Sequence, residues 1–391
     1  MIEISNLRKY YVSAGTVRLE ADIKFGDINE NYSASSIYFE IDKNYGDMFA
    51  DDTYDAFVLV PLFLAMYHKT DLRIHGNISK RFYKNLNWYV QKILCDFSTE
   101  LSAVQIIVDG VVSKTSTGNL IGTGISCGVD SLSTIYDRFI NEDDPDYKIN
   151  ALFFFNCGAN GRFETNFTVR AFNVRYKRIC KLASELYLPV CPVNTNLTVF
   201  QKVYIDSMIF LSNYSCVLAL QNAIRRYYIG SALSYNGIKN TGVKINSYDL
   251  AEFCESYLIP LIGTERTELI IDGCQYRRVD KIKRLVDWQI AQRYLNVCHI
   301  YNEDLSNCGT CEKCLRTLLA LEILGKTENF SQVFDLRKYS EKSFEYKCKI
   351  AAEADKNVFY NELFNFAKEN NFPMPTRRDC YVLGRQVTIF E

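Results

Sequence analysis

The chain has 391 residues, which at about 150 residues per domain predicts two or three domains and allows a core without disulfide or metal staples. Hydrophobic residues make up 48% of it and charged residues 23%, which excludes a disordered, collagen-like or low-complexity protein. The formal net charge is −1, from 45 basic and 46 acidic side chains, so the chain lacks the basic excess of a typical nucleic-acid-binding protein.

The sequence predicts a cytoplasmic protein without a membrane span. The longest apolar run covers residues 56–67 and is interrupted by Pro61, whereas a membrane helix needs about 20 apolar residues. The amino-terminal residues read MIEISNLRKYY and lack the apolar stretch of a signal peptide.

Residues 1–115 are predicted to form a mixed α/β extension of unknown role. Apolar residues alternate in its strand-like segments and recur at helical spacing in its helix-like ones. The predicted strands cover residues 16–25, 36–41 and 104–112, and the predicted helices cover residues 57–68 and 80–97. A polar stretch at residues 113–119 marks the boundary to the next domain.

Residues 119–325 are predicted to form a second domain, in which apolar strands alternate with helices. The strands are expected at residues 120–125, 151–155, 188–193 and 228–231, and the helices at residues 132–139, 174–187, 209–226 and 315–324. This pattern indicates an α/β fold with a parallel sheet, helices on both faces, and ligands at the carboxyl ends of the strands. Residues 326–391 are predicted to be a helical C-terminal extension, with a helix at about residues 351–369.

The first candidate site is a small, hydroxyl-rich loop between the predicted strand 120–125 and the helix that follows it. It consists of Ser126, Cys127, Gly128, Val129, Asp130 and Ser131. Backbone N–H groups at a helix start bind anions, and serine hydroxyls add donors. Asp130 would repel a bare phosphate, so its expected role is to hold Mg²⁺ beside one. An ordinary strand–helix turn is the alternative that the residues leave open.

The second candidate site is a cluster of four cysteines within seventeen positions. Its members are Cys298, Cys308, Cys311 and Cys314, with the spacing C-x₉-C-x₂-C-x₂-C. Four thiolates so spaced can close a tetrahedron around one Zn²⁺, and a site with four protein ligands is structural rather than catalytic. The other ten of the fourteen cysteines are scattered, and packing as small hydrophobic residues accounts for most of them.

Together and in this order, the loop and the cysteine cluster resemble the 7-cyano-7-deazaguanine synthases of the PP-loop superfamily, the N-type ATP pyrophosphatases. The family loop reads S-G-G-x-D-S, and Cys127 stands here in place of its first glycine. The residues that match are Ser126, Gly128, Asp130 and Ser131. The resemblance covers about residues 119–324. It implies an adenine nucleotide alpha hydrolase-like domain that binds ATP with Mg²⁺ at the loop and one structural zinc at the cysteines.

The resemblance also assigns three residues outside the two motifs. Gly230 matches a glycine at the end of a later strand, and Asp249 matches an aspartate beside the base-like substrate. Asn156 follows the second strand of the domain, where this fold usually holds adenine through backbone contacts. A plain loop is the alternative at Asn156.

A basic cluster near the end of the domain completes the set of candidates. Its five cations are Arg277, Arg278, Lys281, Lys283 and Arg284. Lys281 is the candidate for contact with the α-phosphate or the carboxylate, so the predicted catalytic residues are Asp130, Ser131 and Lys281. A solvated helix face is the alternative interpretation of the cluster.

The resemblance implies an ATP-dependent ligase that forms C–N bonds. ATP adenylates the carboxylate of a 7-carboxy-7-deazaguanine-type acid, pyrophosphate leaves, and an amine attacks the mixed anhydride with release of AMP. The amine is ammonia or a protein amine, since relatives with extra domains occur in bacterial anti-phage operons, including CBASS-type systems. The terminal extensions leave room for a protein substrate or partner, and a homodimer stays open.

Two other functions stay open at this point. One is a PP-loop enzyme that adenylates a different small molecule or an RNA, although the near-neutral charge weighs against RNA. The other is a non-catalytic module that binds a nucleotide.

Overall fold

The computed structural model describes the chain apart from residues 27, 29–31, 116, 160–165, 203–204, 241–254, 301–303, 377–378 and 381–391. Contacts divide the chain into two compact units. Unit one comprises Met1–Gly124, Arg138–Ile229 and Lys244–Asp272. Unit two comprises Ile125–Asp137, Gly230–Val243 and Gly273–Glu391.

Strands and helices alternate along most of the chain. The strands are β1 (Ile2–Tyr11), β2 (Thr16–Phe25), β3 (Ser36–Asp42), β4 (Leu72–Ser79), β5 (Ile106–Val112), β6 (Leu120–Gly124), β7 (Ala151–Asn156), β8 (Val190–Thr195), β9 (Ile224–Gly230) and β10 (Glu268–Asp272). The helices are α1 (Leu59–His68), α2 (Lys80–Asn85), α3 (Gln91–Phe97), α4 (Val129–Ile135), α5 (Asn166–Leu186), α6 (Ile205–Ala219), α7 (Tyr235–Asn240), α8 (Arg278–Leu285), α9 (Gln289–Tyr294), α10 (Glu312–Ile323), α11 (Leu336–Glu353) and α12 (Val358–Glu369). No helix of the described residues is long and apolar enough to cross a membrane.

Unit one is built on a ten-stranded sheet with the strand order β10-β9-β6-β7-β8-β3-β2-β1-β4-β5. The pairs from β9 to β8 are parallel, as are β1–β4 and β4–β5. The three pairs that join these parts, β8–β3, β3–β2 and β2–β1, are antiparallel. The fold is therefore α/β with a mostly parallel sheet, which confirms this part of the prediction.

The burial of the strands explains the two kinds of pairing. Residues 151–155 of β7 are all buried, as are residues 121–123 of β6, which is typical of parallel strands covered on both faces. In β3, buried and partly exposed residues alternate, which is typical of antiparallel strands with one covered face.

Residues on both sides of the predicted boundary at 113–119 contribute to this one sheet. Strand β3 pairs with β8, with Phe39 opposite Thr195 and Glu40 opposite Asn194. Unit one accordingly combines most of the predicted N-terminal extension with strands and helices of the predicted second domain.

A buried polar network in unit one determines where helix α6 ends. The fully buried carboxylate of Asp55 accepts hydrogen bonds at 2.6–2.8 Å from Thr53 Oγ1, Ser79 N, Ser79 Oγ and Gln221 Nε2. Gln221 Oε1 accepts a further hydrogen bond from Thr264 at 2.7 Å. These bonds hold Gln221 in a turn between α6 and β9. The predicted helix over residues 209–226 is therefore wrong beyond residue 219.

Unit two is mainly helical and contains the predicted C-terminal extension. Helix α10 is followed by Gly325, whose φ of +66° is the left-handed conformation expected of a glycine after a helix. The extension forms α11 and α12, so the single helix predicted at residues 351–369 is the end of α11 followed by α12.

Cys348 on α11 is disulfide-bonded to Cys380, and their Cα atoms are 5.7 Å apart. This bond was not predicted, because a cytoplasmic location was expected and scattered cysteines are normally reduced there. Packing as small hydrophobic residues, which was expected for most of the scattered cysteines, does not describe this pair.

Candidate functional site

The loop motif at residues 126–131 lies in unit two: residues 126–128 follow β6, and residues 129–131 form the first turn of α4. Gly128 is extended, with φ −76° and ψ 170°, and directly precedes α4. Ser126 Oγ accepts a hydrogen bond from the Gly128 N–H, and Ser131 Oγ donates one to the Gly128 carbonyl, both at 3.2 Å. The two hydroxyl oxygens lie 3.2 Å apart. The loop is therefore an ordered turn with two adjacent serine hydroxyls.

Cys127 adopts the left-handed backbone conformation, with φ +62°. A side chain in this conformation costs about 1–2 kcal/mol, which a glycine avoids. The Cys127 side chain is only 1% exposed, and its carbonyl accepts a hydrogen bond from the Asn296 N–H at 2.8 Å. The thiol is therefore packed inside the protein and does not line the solvent-facing side of the loop.

Asp130, in the first turn of α4, pairs with two cations of α8. Its Oδ2 lies 2.6 Å from Arg278 Nη1, and its Oδ1 lies 3.1 Å from Lys281 Nζ. Lys281 also donates a hydrogen bond to the Ser231 carbonyl. Both cations are buried, with 9% of the Arg278 side chain and 1% of the Lys281 side chain exposed. The structure thus brings two predicted catalytic residues, Asp130 and Lys281, into direct contact.

These cations determine the charge of Asp130. Burial alone would raise the pKa of its carboxyl, but the positive charges of Arg278 and Lys281 and the hydrogen bonds they donate lower that pKa to about 2. Asp130 is therefore ionised at neutral pH. A magnesium ion does not fit beside Asp130 in this arrangement, because each carboxylate oxygen already has a cationic partner.

The basic cluster consists mostly of ion-paired side chains. Arg278 and Lys281 stand three residues apart and so share one face of α8. The remaining ion pairs are Arg277–Asp280 and Arg277–Glu369, both at 2.8 Å, and Arg284–Asp137. Lys283 is exposed. The alternative interpretation of a solvated face therefore applies to Lys283, while Arg278 and Lys281 face the loop.

Gly230, the last residue of β9, allows the backbone of α4 to approach closely. A Cβ at this position would lie 3.0 Å from the Asp130 carbonyl oxygen and 3.1 Å from Thr134 Oγ1. These distances are shorter than normal carbon–oxygen contacts, so a larger residue would displace the first turn of α4. Gly230 therefore helps to place Asp130 through packing.

The variant Gly230→Ala is expected to destabilise the protein by about 1–3 kcal/mol, because overpacking displaces the backbone that carries Asp130. The free energy of unfolding, measured by urea denaturation, checks this. The matched control is Gly15→Ala, where an added Cβ meets nothing within 4 Å. Equal unfolding free energies for the two variants would contradict this role of Gly230.

The four predicted metal ligands lie together in unit two. The sulfur atoms of Cys298, Cys308, Cys311 and Cys314 are all within 4.8 Å of one another. The Cys298–Cys311 and Cys308–Cys314 sulfur distances are 3.8 and 3.9 Å. Tetrahedral zinc with Zn–S bonds of about 2.3 Å would place its sulfur ligands about 3.8 Å apart. The donor set therefore fits zinc, and the prediction that these four cysteines can hold a metal ion is confirmed.

Hydrogen bonds to sulfur favour the thiolate form of one ligand of the cluster, Cys311. Cys308 Sγ accepts hydrogen bonds from the N–H groups of Cys311 at 3.2 Å and Thr310 at 3.5 Å. The hydrogen bond from the Cys314 thiol, with further ones from neighbouring groups, lowers the pKa of Cys311 to about 4. Since the thiolate is the form that binds metal, Cys311 is the ligand most ready to bind, whereas burial raises the pKa of Cys298 and the hydrogen bond to Cys311 raises that of Cys314.

Asn307 supports the cluster and was not predicted. Its side chain is 7% exposed, and its Oδ1 accepts hydrogen bonds from the Val297 N–H at 2.8 Å and the Cys298 N–H at 3.2 Å. Its Nδ2 donates to the carbonyls of Leu295 at 2.9 Å and Val333 at 3.0 Å. Asn307 therefore fixes the backbone around the first ligand.

The C-terminal extension contacts the helix that carries the two buried cations. Glu362 of α12 accepts a hydrogen bond from the Arg278 N–H at 3.1 Å, and Glu369 accepts two from the Arg277 guanidinium at 2.8 Å. Burial raises the pKa of Glu362. Helix α12 therefore anchors the first turn of α8, a role that the sequence did not indicate.

Two further predicted residues are Asn156 and Asp249. Asn156 ends β7 in unit one, and its amide donates a hydrogen bond to Asn194 Oδ1 at 3.1 Å. Asp249 lies outside the described residues. Arg278, Ser231 and Glu362 were missed as site residues, and only Arg278 had a signal, its place in the basic cluster.

Comparison with known proteins gives no match. No family model matches the chain, and neither a curated protein nor a solved structure matches it.

Proposed function

We propose that this chain is an ATP-dependent adenylating enzyme of the PP-loop class, similar to the 7-cyano-7-deazaguanine synthases. It would activate a 7-carboxy-7-deazaguanine-type carboxylate as an acyl adenylate for attack by an amine, with release of pyrophosphate and AMP. The observation that carries the proposal is the contact of the loop residue Asp130 with the buried Lys281 and Arg278. The cysteine cluster provides the second half of the resemblance.

The charges around the loop suit a chain of phosphates. Two buried cations face a single carboxylate, so the neighbourhood of Asp130 keeps an excess positive charge. Preorganised cations and hydroxyl donors in a partly dry site stabilise the charge that develops on a leaving pyrophosphate. A carboxylate is a poor acyl donor because expulsion of oxide is costly, and adenylation supplies a better leaving group.

Each residue of the site has a distinct role in this proposal. Ser126 and Ser131 would donate hydrogen bonds to phosphate oxygens. Lys281 and Arg278 would offset the charge of the pyrophosphate, and Asp130 would hold both cations in position. Asn156 and Asp249 are proposed for the adenine and the base-like acid from the resemblance alone. The cysteine cluster would hold one zinc that stabilises the fold and takes part in no chemical step.

The acceptor amine is proposed as ammonia or a protein amine. A non-catalytic nucleotide-binding module is the second candidate. Both carboxylate oxygens of Asp130 are paired with cations, so neither is left to bind the metal ion of a metal–nucleotide complex. The RNA-adenylating alternative has no such observation in its favour.

The wild-type protein, incubated with ATP, Mg²⁺, 7-carboxy-7-deazaguanine and ammonium, is expected to form AMP, pyrophosphate and the amide or nitrile. The variant Lys281→Met is expected to lower kcat about 100-fold or more, because it removes a buried cation that offsets transition-state charge. Mass spectrometry of the products measures both effects.

The matched control is Lys283→Met on the same helix, where the lysine is exposed. This variant is expected to keep the wild-type rate. ATP binding without AMP formation would favour the non-catalytic module. Equal rates for the two lysine variants would contradict the proposed role of Lys281.

A further inference from the structure

Arg316 is a buried cation without an ionic partner in the described part of unit two. It lies on α10, and only 9% of it is exposed. Its Nε is buried and makes no hydrogen bond to any described residue. The guanidinium lies 3.9 Å from the centre of the Phe359 ring on α12, a contact that leaves the charge uncompensated. A buried arginine without a counter-ion is costly, so a partner from outside the chain would stabilise it.

Three carboxylates interact electrostatically with Arg316, and each has another partner. Glu362 accepts the hydrogen bond from the Arg278 N–H at 3.1 Å. Glu312 stands one helical turn before Arg316, but it accepts a hydrogen bond from Tyr346 at 2.7 Å and pairs with Lys349 at 3.7 Å. Asp130 is paired with Arg278 and Lys281, as described above. None of these three carboxylates forms an ion pair with Arg316, so its charge has no direct counter-ion among the described residues.

The direction of Arg316 on its helix separates it from the metal ligands. Cys314 precedes it by two residues, and side chains at that spacing on a helix do not face each other. Helix α10 contacts α8, which carries Arg278. The Arg278 Nε also lacks a hydrogen-bond partner among the described residues. Two guanidinium groups with unused donors thus belong to helices in contact, next to the loop.

We propose that Arg316, with Arg278, binds an oxyanion of the phosphate or carboxylate type beside the loop. Guanidinium groups bind such oxyanions through their N–H donors, and each of the two residues has an Nε–H with no partner among the described residues. The inference rests on the proposed function, in which the oxyanion belongs to the pyrophosphate of ATP or to the carboxylate of the acid. Arg316 is then a binding residue for this anion, placed by the helix that begins at the metal ligands.

The test measures binding without turnover. Isothermal titration calorimetry compares inorganic pyrophosphate and 7-carboxy-7-deazaguanine on the full-length wild-type protein and on Arg316→Met. The affinity for one of these ligands is expected to fall at least tenfold, and the ligand affected identifies the source of the oxyanion. The control Arg337→Met, where the side chain is 91% exposed, is expected to keep both affinities within twofold.

Equal affinities of wild type and Arg316→Met for both ligands would overturn the inference, even if ATP-dependent release of pyrophosphate were intact. Conversely, Arg316-dependent anion binding without AMP formation would refute only the proposed function. If Arg316→Met does not fold, Arg316→Lys replaces it in the test. Lysine keeps the charge but loses the planar fork, so a three- to tenfold loss of affinity is expected. Unchanged affinity in that variant would overturn the inference equally.

Discussion

Removal of the metal from the cysteine cluster is expected to unfold much of unit two. Each chain should contain one zinc, and Cys311→Ser should lose it. Structural zinc contributes its binding free energy directly to folding, and this reaches about 10–16 kcal/mol in zinc-finger peptides at neutral pH. Loss of the ion should therefore lower the free energy of unfolding by more than about 4 kcal/mol.

Metal analysis and thermal unfolding, with and without a chelator, measure these effects. Cys95→Ser is the matched control, because Cys95 is a partly exposed free cysteine outside the cluster. It should keep the zinc and nearly the wild-type midpoint. A wild-type protein that keeps its unfolding midpoint after the chelator has removed the zinc would rule out a structural metal.

The variant Asp130→Asn is expected to lower the free energy of unfolding by about 2–4 kcal/mol at pH 7. Removal of the carboxylate leaves Arg278 and Lys281 buried with no opposite charge, which is the costly way to break a buried ion pair. The pKa of Asp130 falls from 3.8 to about 2, and one pKa unit corresponds to about 1.4 kcal/mol. The stabilisation of the folded protein that follows from this shift lies in the same range.

The same shift predicts a dependence on pH. Because the folded-state pKa is lowered, the stabilisation is fully present above the unfolded pKa of 3.8 and is lost as the pH falls towards 2. Urea denaturation of wild type and Asp130→Asn should therefore differ at pH 7 and converge between pH 4 and 2.

The control for this prediction is Asp287→Asn, which breaks the surface pair with Lys326, because Asp287 is 75% exposed. It should cost less than about 1 kcal/mol. In the double variant of Asp130→Asn with Lys281→Met, the loss should be smaller than the sum of the single losses, since the residues are in contact. Additive losses would show that the two residues are not coupled.

Short-range patterns were sufficient to predict the two motifs and many elements. The cysteine spacing restricts four sulfur atoms to a small volume, because short turns join three of the four ligands. The fully apolar residues 151–155 form a buried parallel strand, since such a segment is stable only when both faces are covered.

Contacts between distant residues set the limits of the prediction. Arg278 is 148 residues from Asp130, and no local pattern connects them. Helix α6 ends early because Gln221 bonds to Asp55, 166 residues away. Strand β1, missed in the sequence, contains many polar residues and is a strand because it pairs with β2 and β4. Glu362, Asn307 and Arg316 likewise acquire their roles only through tertiary contacts.

The fate of oxygen atoms tests the central claim, formation of an acyl adenylate, most directly. The protein is incubated with ATP, Mg²⁺, ammonium and an acid labelled with ¹⁸O in its carboxylate, and the AMP is analysed by mass spectrometry. If the acid attacks the α-phosphorus and an amine then displaces AMP, one ¹⁸O per turnover must appear in AMP. Product formation with unlabelled AMP, or with ADP and phosphate instead, would contradict the account.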